Sequence, residues 1–169
     1  MTGQSSPVRR KAGPRTGGPA GRLFVVRRSG VHGKGGFALQ AIPKGTRIIE
    51  YVGEIIDWAE VWRRYPEKSG DTGQNHTFLF EIDDERVIDG SRGGNSSRWI
   101  NHSCNPNCEV SGEDGRIFIE AKRAIRIGEE LTYDYNIQLQ ERHTPAVKKR
   151  YQCLCGARTC RGTILAKKR

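Results

Sequence analysis

Apolar residues, cysteine, and acid at either end are all scarce in this sequence. Hydrophobic side chains make up 35% of 169 residues, and no run of them approaches the roughly 20 residues that a membrane helix needs. Met1 to Arg10 is polar and lacks the apolar middle of a secretory signal. A membrane partner is therefore not expected, and the chain reads as soluble and intracellular. The five cysteines are an odd number crowded into 104–108 and 153–160. That clustering argues against a secreted disulfide framework and for a reducing compartment with a bound metal.

Acid is missing from the ends rather than from the middle. Residues 1–21 hold Arg9, Arg10, Lys11 and Arg15 with no acid, and residues 141–169 hold nine Lys or Arg against Glu141 alone. Between them, 22–140 carries 16 basic and 18 acidic residues, so the net charge of +10 belongs to the termini. Such ends either make non-specific contact with nucleic acid by releasing counterions or serve as solvated tails. Residues 1–21, rich in Gly, Pro, Ser and Arg, offer nothing to bury and are expected to be disordered.

The rest fits one domain. Short strand-like runs recur at Arg22–Arg28, Gly36–Ala41, Arg47–Ile56, His76–Ile82, Arg116–Lys122 and Glu130–Tyr133. Pro43-Lys44-Gly45 and Asp114-Gly115 read as tight turns. Trp58, Val61, Trp62 and Tyr65 fall at helical spacing behind Asp57 as N-cap and before Pro66, which predicts a short helix packed by aromatics. Residues 67–75 read as loop, and the chain beyond Glu141 as polar and irregular. The fold class is mostly β with short helices.

Four stretches concentrate chemistry. Cys153-x-Cys155-x4-Cys160 brings three thiolates within eight residues, and a tetrahedral zinc site needs a fourth, from Cys104 or Cys108. Metal binding is what would fold so polar a segment. His32-Gly33-Lys34-Gly35-Gly36 is a glycine-rich turn, lacking the context of a P-loop or a dinucleotide fingerprint. Arg98-Trp99-Ile100-Asn101-His102-Ser103-Cys104-Asn105-Pro106-Asn107-Cys108 is too polar for a core strand and reads as a binding loop or an Asx-rich turn. Tyr133 and Tyr135 share a face if that segment is extended.

Together and in this order, HGKGGFA, EYVGE, RWINHSCNPNC, GEELTYDYN and CLCGARTCRG resemble the SET-domain protein-lysine methyltransferases with a post-SET zinc segment, closest to the trithorax or mixed-lineage-leukaemia branch. The resemblance implies a SET fold of small β-sheets, with the chain near Asn101 threaded pseudoknot-like under the C-terminal catalytic segment, and a zinc-bound post-SET loop. It divides the chain into a basic tail at 1–21, a SET domain at 22–140 and a post-SET segment at 141–169. It implies S-adenosylmethionine as cosubstrate, structural Zn2+, and a basic, histone-like protein or peptide as substrate. The location would be nucleus or chromosome in a eukaryote and cytoplasm in a bacterium.

Carried over by motif, Tyr135 is the central catalytic hydroxyl, Tyr51 lines the lysine channel, and Tyr133 limits the product to mono- or dimethyllysine. His32, Lys34, Gly35, Arg98, Asn101, His102 and Leu154 hold the cofactor. Phe78 stands where related enzymes commonly have tyrosine. Cys104 joins Cys153, Cys155 and Cys160 on the metal, leaving Cys108 spare. The rival reading is a zinc-stabilised, basic chromatin-binding module whose methyltransferase site is idle. It has no use for three tyrosines beside an Asn-His loop. Lys11, in a histone-like stretch, is a candidate for self-methylation.

Overall fold

Alternation of large apolar and polar side chains over short, turn-bounded runs produces small sheets rather than one large one. The computed structural model describes residues 21–66, 78–139 and 141–167. Lys11, all of the expected tail except Gly21, and the expected loop at 67–75 lie outside them.

Three sheets carry the fold. In the first, β1 (Phe24–Arg28) and β2 (Lys34–Ala38) form a hairpin. Beside β2 runs β10 (Glu130–Tyr133), and beyond it the two-residue β7 (Asn101–His102). The second sheet is β3 (Arg47–Tyr51), β9 (Arg116–Ala121) and β8 (Cys108–Glu113); the third is β4 (Glu54–Asp57), β6 (Arg86–Asp89) and β5 (Leu79–Glu81). One core, including Phe24, Ile42, Ile88, Ile100, Ile119, Ile125 and Leu131, lies among the sheets. Burying each such side chain contributes about 1.5–3 kcal/mol.

The single strand expected over Arg47–Ile56 is two. The chain kinks at Val52-Gly53 and passes from the β3–β9 sheet to the β4–β6 sheet. Gly53 is required there, because a Cβ would lie 2.4 Å from the Asp89 carbonyl oxygen. Strands β7 and β8 were not anticipated. Asp114 and Gly115 both have positive φ (52° and 74°), which makes the expected turn a tight hairpin between β8 and β9.

The expected helix forms as α1 (Trp58–Arg64), with the Asp57 carboxylate accepting the Glu60 N–H at 2.8 Å. Its aromatic packing needs correction. Val61 is buried and Trp58 and Tyr65 are partly so, but Trp62 is 57% exposed. A helix with one sheet to lean on buries one stripe, and Trp62 falls outside it. The chain after Glu141 is not wholly irregular either, since α2 (Pro145–Arg150) starts on a Thr144 N-cap with proline in its first turn. The Thr-Pro pair was the signal for it. Among the described residues no helix is long and apolar enough to cross a membrane.

Candidate active site

The kink after β3 leaves Tyr51, the one buried residue of that strand, at its end, and that position starts a row of aromatic rings. Tyr51 and Phe80 have ring centroids 5.1 Å apart, Phe80 and Tyr133 6.2 Å, and Tyr133 and Tyr135 4.9 Å. Tyr51 and Tyr133 are buried. The Tyr51 hydroxyl donates to the Phe78 carbonyl at 2.9 Å, and the Tyr135 hydroxyl to the Ile100 carbonyl at 3.0 Å. With its proton so committed, each phenol turns oxygen lone pairs toward any amine beside it. The Tyr133 hydroxyl makes no hydrogen bond to another described residue. Burial and the neighbouring phenols push Tyr51 and Tyr133 well above the usual tyrosine range, and burial with the nearby Glu130 carboxylate does the same for Tyr135. All three stay neutral phenols at physiological pH.

The Asn-His loop reaches this row through a parallel pairing. In β7, Asn101 and His102 lie opposite Thr132 and Tyr133 of β10, although 31 positions separate the partners in sequence. Asn107 clamps the same strand, its side chain accepting the Thr132 N–H at 2.9 Å and donating to the Glu130 carbonyl at 2.8 Å. The Asn101 amide donates to the Lys34 carbonyl (2.9 Å), the His32 carbonyl (3.4 Å) and the Glu130 carboxylate (2.8 Å). The Ser29 hydroxyl donates to that carboxylate as well, at 2.7 Å. Loop, glycine turn and β10 therefore meet at Asn101. His102 is buried, and burial lowers its pKa to about 4. Its Nδ1 accepts the Tyr135 N–H at 3.1 Å, so in the neutral ring the proton sits on Nε2, 3.3 Å from the Cys104 sulfur.

A depression of about 580 Å3 opens beside this junction, lined by Val26, Arg27, Arg28, Gly33, Lys34 and Trp99. The Lys34 ammonium lies 4.7 Å over the Trp99 ring, which Phe78 meets edge-on at 5.0 Å. The Arg98 guanidinium sits 5.1 Å from Trp99 and 5.6 Å from Phe78. It donates to the Gly90 carbonyl, while its buried Nε has no hydrogen-bond partner among the described residues. His32 is exposed and Gly35 is buried within β2.

The four cysteines read as metal ligands converge. Sulfur atoms of Cys104, Cys153, Cys155 and Cys160 all lie within 4.8 Å of one another, and Cys104 is 3.7 Å from Cys153 and 4.0 Å from Cys160. Sulfurs bonded tetrahedrally to zinc at about 2.3 Å are about 3.8 Å apart, whereas a disulfide needs about 2.05 Å. Each sulfur accepts at least one backbone N–H: Cys104 from Arg161, Cys153 from Cys155, Cys155 from Cys104 and Ala157, and Cys160 from Gly162. Those bonds favour the thiolate form that a metal takes. Burial works against Cys155, yet the N–H donors and neighbouring thiols bring it down to about 6. The donor set and spacing fit structural zinc. Cys108 is instead a core residue, 1% exposed, whose thiol burial pushes up to about 12. Leu154, between two of the ligands, is 57% exposed.

Tyrosines, Asn-His loop, glycine turn and cysteines thus come together, while Leu154 faces solvent at the rim. Sequence reasoning passed over Phe80, Trp99, Asn107 and Glu130. Phe80 alternates with Phe78, which hinted at a shared strand. Nothing in the sequence marked the hydrogen bonding of the buried Asn107 and the half-buried Glu130.

A family model described as the SET domain matches residues 33–136. The chain is 40% identical over 141 residues to a histone-lysine N-methyltransferase, H3 lysine-4 specific, of Mycosarcoma maydis, a match covering 79% of the chain and 9% of the relative. It is 40% identical to histone-lysine N-methyltransferase SETD1 of Drosophila melanogaster (81% and 8%) and 41% identical to histone-lysine N-methyltransferase trr of the same fly (79% and 5%). The chain thus spans less than a tenth of the length of these relatives. With the matched segment covering most of the chain and enclosing the tyrosine row and the Asn-His loop, this protein belongs to the SET-domain family.

Proposed function

We propose that this chain acts as a histone-lysine N-methyltransferase, moving a methyl group from S-adenosylmethionine to a lysine ε-amine, with the fourth residue of histone H3, a lysine, as the target and mono- or dimethyllysine as the product. In this reading residues 22–140 carry the reaction, 141–169 form the zinc segment, and the protein works on chromatin in the nucleus. The observation that carries it is the row Tyr51, Phe80, Tyr133 and Tyr135 ending against a loop fastened to the glycine turn by Asn101.

S-adenosylmethionine, when bound, supplies an electrophilic methyl on a sulfonium sulfur. Lys34 and Trp99, which line the depression, would hold it together with His32, Gly35, Arg98, Asn101 and His102, with Phe78 beside Trp99 as an apolar wall and Leu154 as a cover from the zinc segment. A carbon–nitrogen bond forms as the carbon–sulfur bond breaks. The lysine proton goes to water, and S-adenosylhomocysteine leaves.

A lysine normally protonated near pH 10.4 loses its proton readily among buried rings, because desolvation penalises the ammonium. Tyr51 and Tyr135 orient the amine by accepting its N–H bonds. Neither acts as base, since burial holds both in the phenol form. Catalysis is chiefly alignment of nitrogen, methyl and sulfur.

An H3 tail peptide and the same peptide with alanine in place of that lysine, incubated with labelled cofactor, test the proposal. Label on the first alone is expected, and Tyr135→Phe should lower the rate about 100-fold or more. Equal labelling of both peptides removes the fourth-residue lysine as target, and undiminished labelling by Tyr135→Phe removes the assigned centre.

A further inference from the structure

Arg161 directly follows the last cysteine ligand yet reaches into the tyrosine segment. Its Nη1 donates to Asp134 Oδ2 at 2.7 Å and its Nη2 to Asp134 Oδ1 at 2.8 Å, a two-pronged bond of the strong, direction-fixing kind. The arginine is itself pinned to the cysteine cluster. Its N–H donates to the Cys104 sulfur at 3.3 Å, and its Nη2 also meets the Leu165 carbonyl at 3.4 Å. The Arg161 side chain is 16% exposed and that of Asp134 34%, so the pair is partly open to solvent and its two-pronged geometry, rather than its charge, does the fixing.

Asp134 is the residue between Tyr133 and Tyr135. Its Oδ1 also accepts the Asn136 N–H at 3.0 Å, closing a turn in which Asn136 has φ of 48°, and lies 3.5 Å from His102 Nδ1. That nitrogen is the one accepting the Tyr135 N–H. One carboxylate thus fixes the turn that carries Tyr135 and borders the imidazole that holds it. Among the described residues the main-chain ties between the two segments are Ala166 N–H to the Ile137 carbonyl at 2.8 Å and the Ile137–Leu165 bridge, which act after the tyrosines, while Cys104 reaches the Tyr135 N–H through the His102 ring.

We infer that Arg161 and Asp134 are positioning residues forming a clasp through which the four-cysteine cluster holds Tyr133 and Tyr135 in their working arrangement. The catalytic consequence rests on the methyltransferase reading; the mechanical one does not. A filled cluster fixes the Arg161 backbone, Arg161 fixes Asp134, and Asp134 fixes the turn between the phenols. A loosened cluster frees the turn that carries Tyr135 and lets Tyr133, at the end of β10, shift, while the rest of the sheets keep their pairing.

The test uses the full chain carrying cobalt(II) in the cluster and fluorotyrosine in place of tyrosine. Arg161→Met should keep the charge-transfer absorption of a four-thiolate site and shift the fluorine signals of Tyr133 and Tyr135. It should lower kcat ten-fold or more, with KM for the cofactor within about two-fold. Arg161→Lys, which keeps the charge and loses the fork, should fall between Arg161→Met and the parent protein. Stripping the metal from the parent protein should move the same two signals, and stripping it from Arg161→Met should move them little further. Unmoved fluorine signals in metal-loaded Arg161→Met overturn the clasp, as does loss of the thiolate absorption in both variants, which would mean that Arg161 serves only the metal. If the parent protein transfers no methyl at all, the proposed function falls, and the fluorine signals still decide the clasp.

Discussion

The sheets and the C-terminal segment are stabilised in opposite ways. Around Ile119, Ile125 and Leu131 the framework excludes water from a continuous apolar core, and its polar hub is fully bonded. Asp89, 0% exposed, accepts from Arg64, Tyr65 and Ser91. Past Glu141 the buried apolar side chains are Val147, Cys153 and Leu165, set among Lys148, Lys149, Arg150 and Arg158. Four sulfurs do there what a dozen apolar side chains do in the sheets. The lesson is that one chain can hold a scaffold packed by apolar burial beside a segment that has little to bury and gathers four sulfurs instead.

Removing the metal breaks this comparison most widely. A strong chelator should abolish hydrogen-exchange protection over 145–166 and leave Arg116–Ala121 protected, as read by mass spectrometry. Loss of protection in both regions at once would make the two a single unit. Ile119→Ala is the converse, expected to cost roughly 2–5 kcal/mol of global stability by denaturant titration with no change in metal affinity.

Acid separates the regions more gently. Burial opposes ionisation of Asp89, but its Ser91, Tyr65 and Arg64 partners outweigh burial and hold the carboxyl below its usual range. The native state then binds fewer protons than the unfolded one in that window. The stabilisation is complete above the unfolded value near pH 3.9 and is lost as pH falls through the folded value. Protons compete with a metal for its thiolate ligands, so metal binding weakens as pH falls. A pH titration should therefore release metal before the sheets unfold, and Asp89→Asn should flatten the acid limb of the unfolding curve alone. Smallest in energy is Tyr133→Phe, which removes a hydroxyl free to anchor water beside the amine. Mass spectrometry should show the product shifted toward trimethyllysine with little change in stability.

Much of the site was legible because its chemistry is local. The thiolate spacing announced a metal, Asp114-Gly115 announced a hairpin, and the ordered motifs announced a family. Trp62 misled because helical periodicity shows a stripe without revealing how wide a wall will cover it. The helix α2 was missed because six residues give too little periodicity to outweigh their charge. Strand β8 was missed because the polar Asn-rich run before it masked the start of alternation.

The sequence by itself determined the short strands, the turns and the residue types able to bind metal and line an apolar channel, since each depends on neighbours within a few positions. Only the tertiary structure decided that Cys104 rather than Cys108 joins the cluster, that Asn101 meets Lys34 and Glu130, and that Arg161 grips Asp134. Those partners lie 27 to 67 positions apart. Bringing them together depends on closing long loops, which the shared core stabilises and no local pattern records.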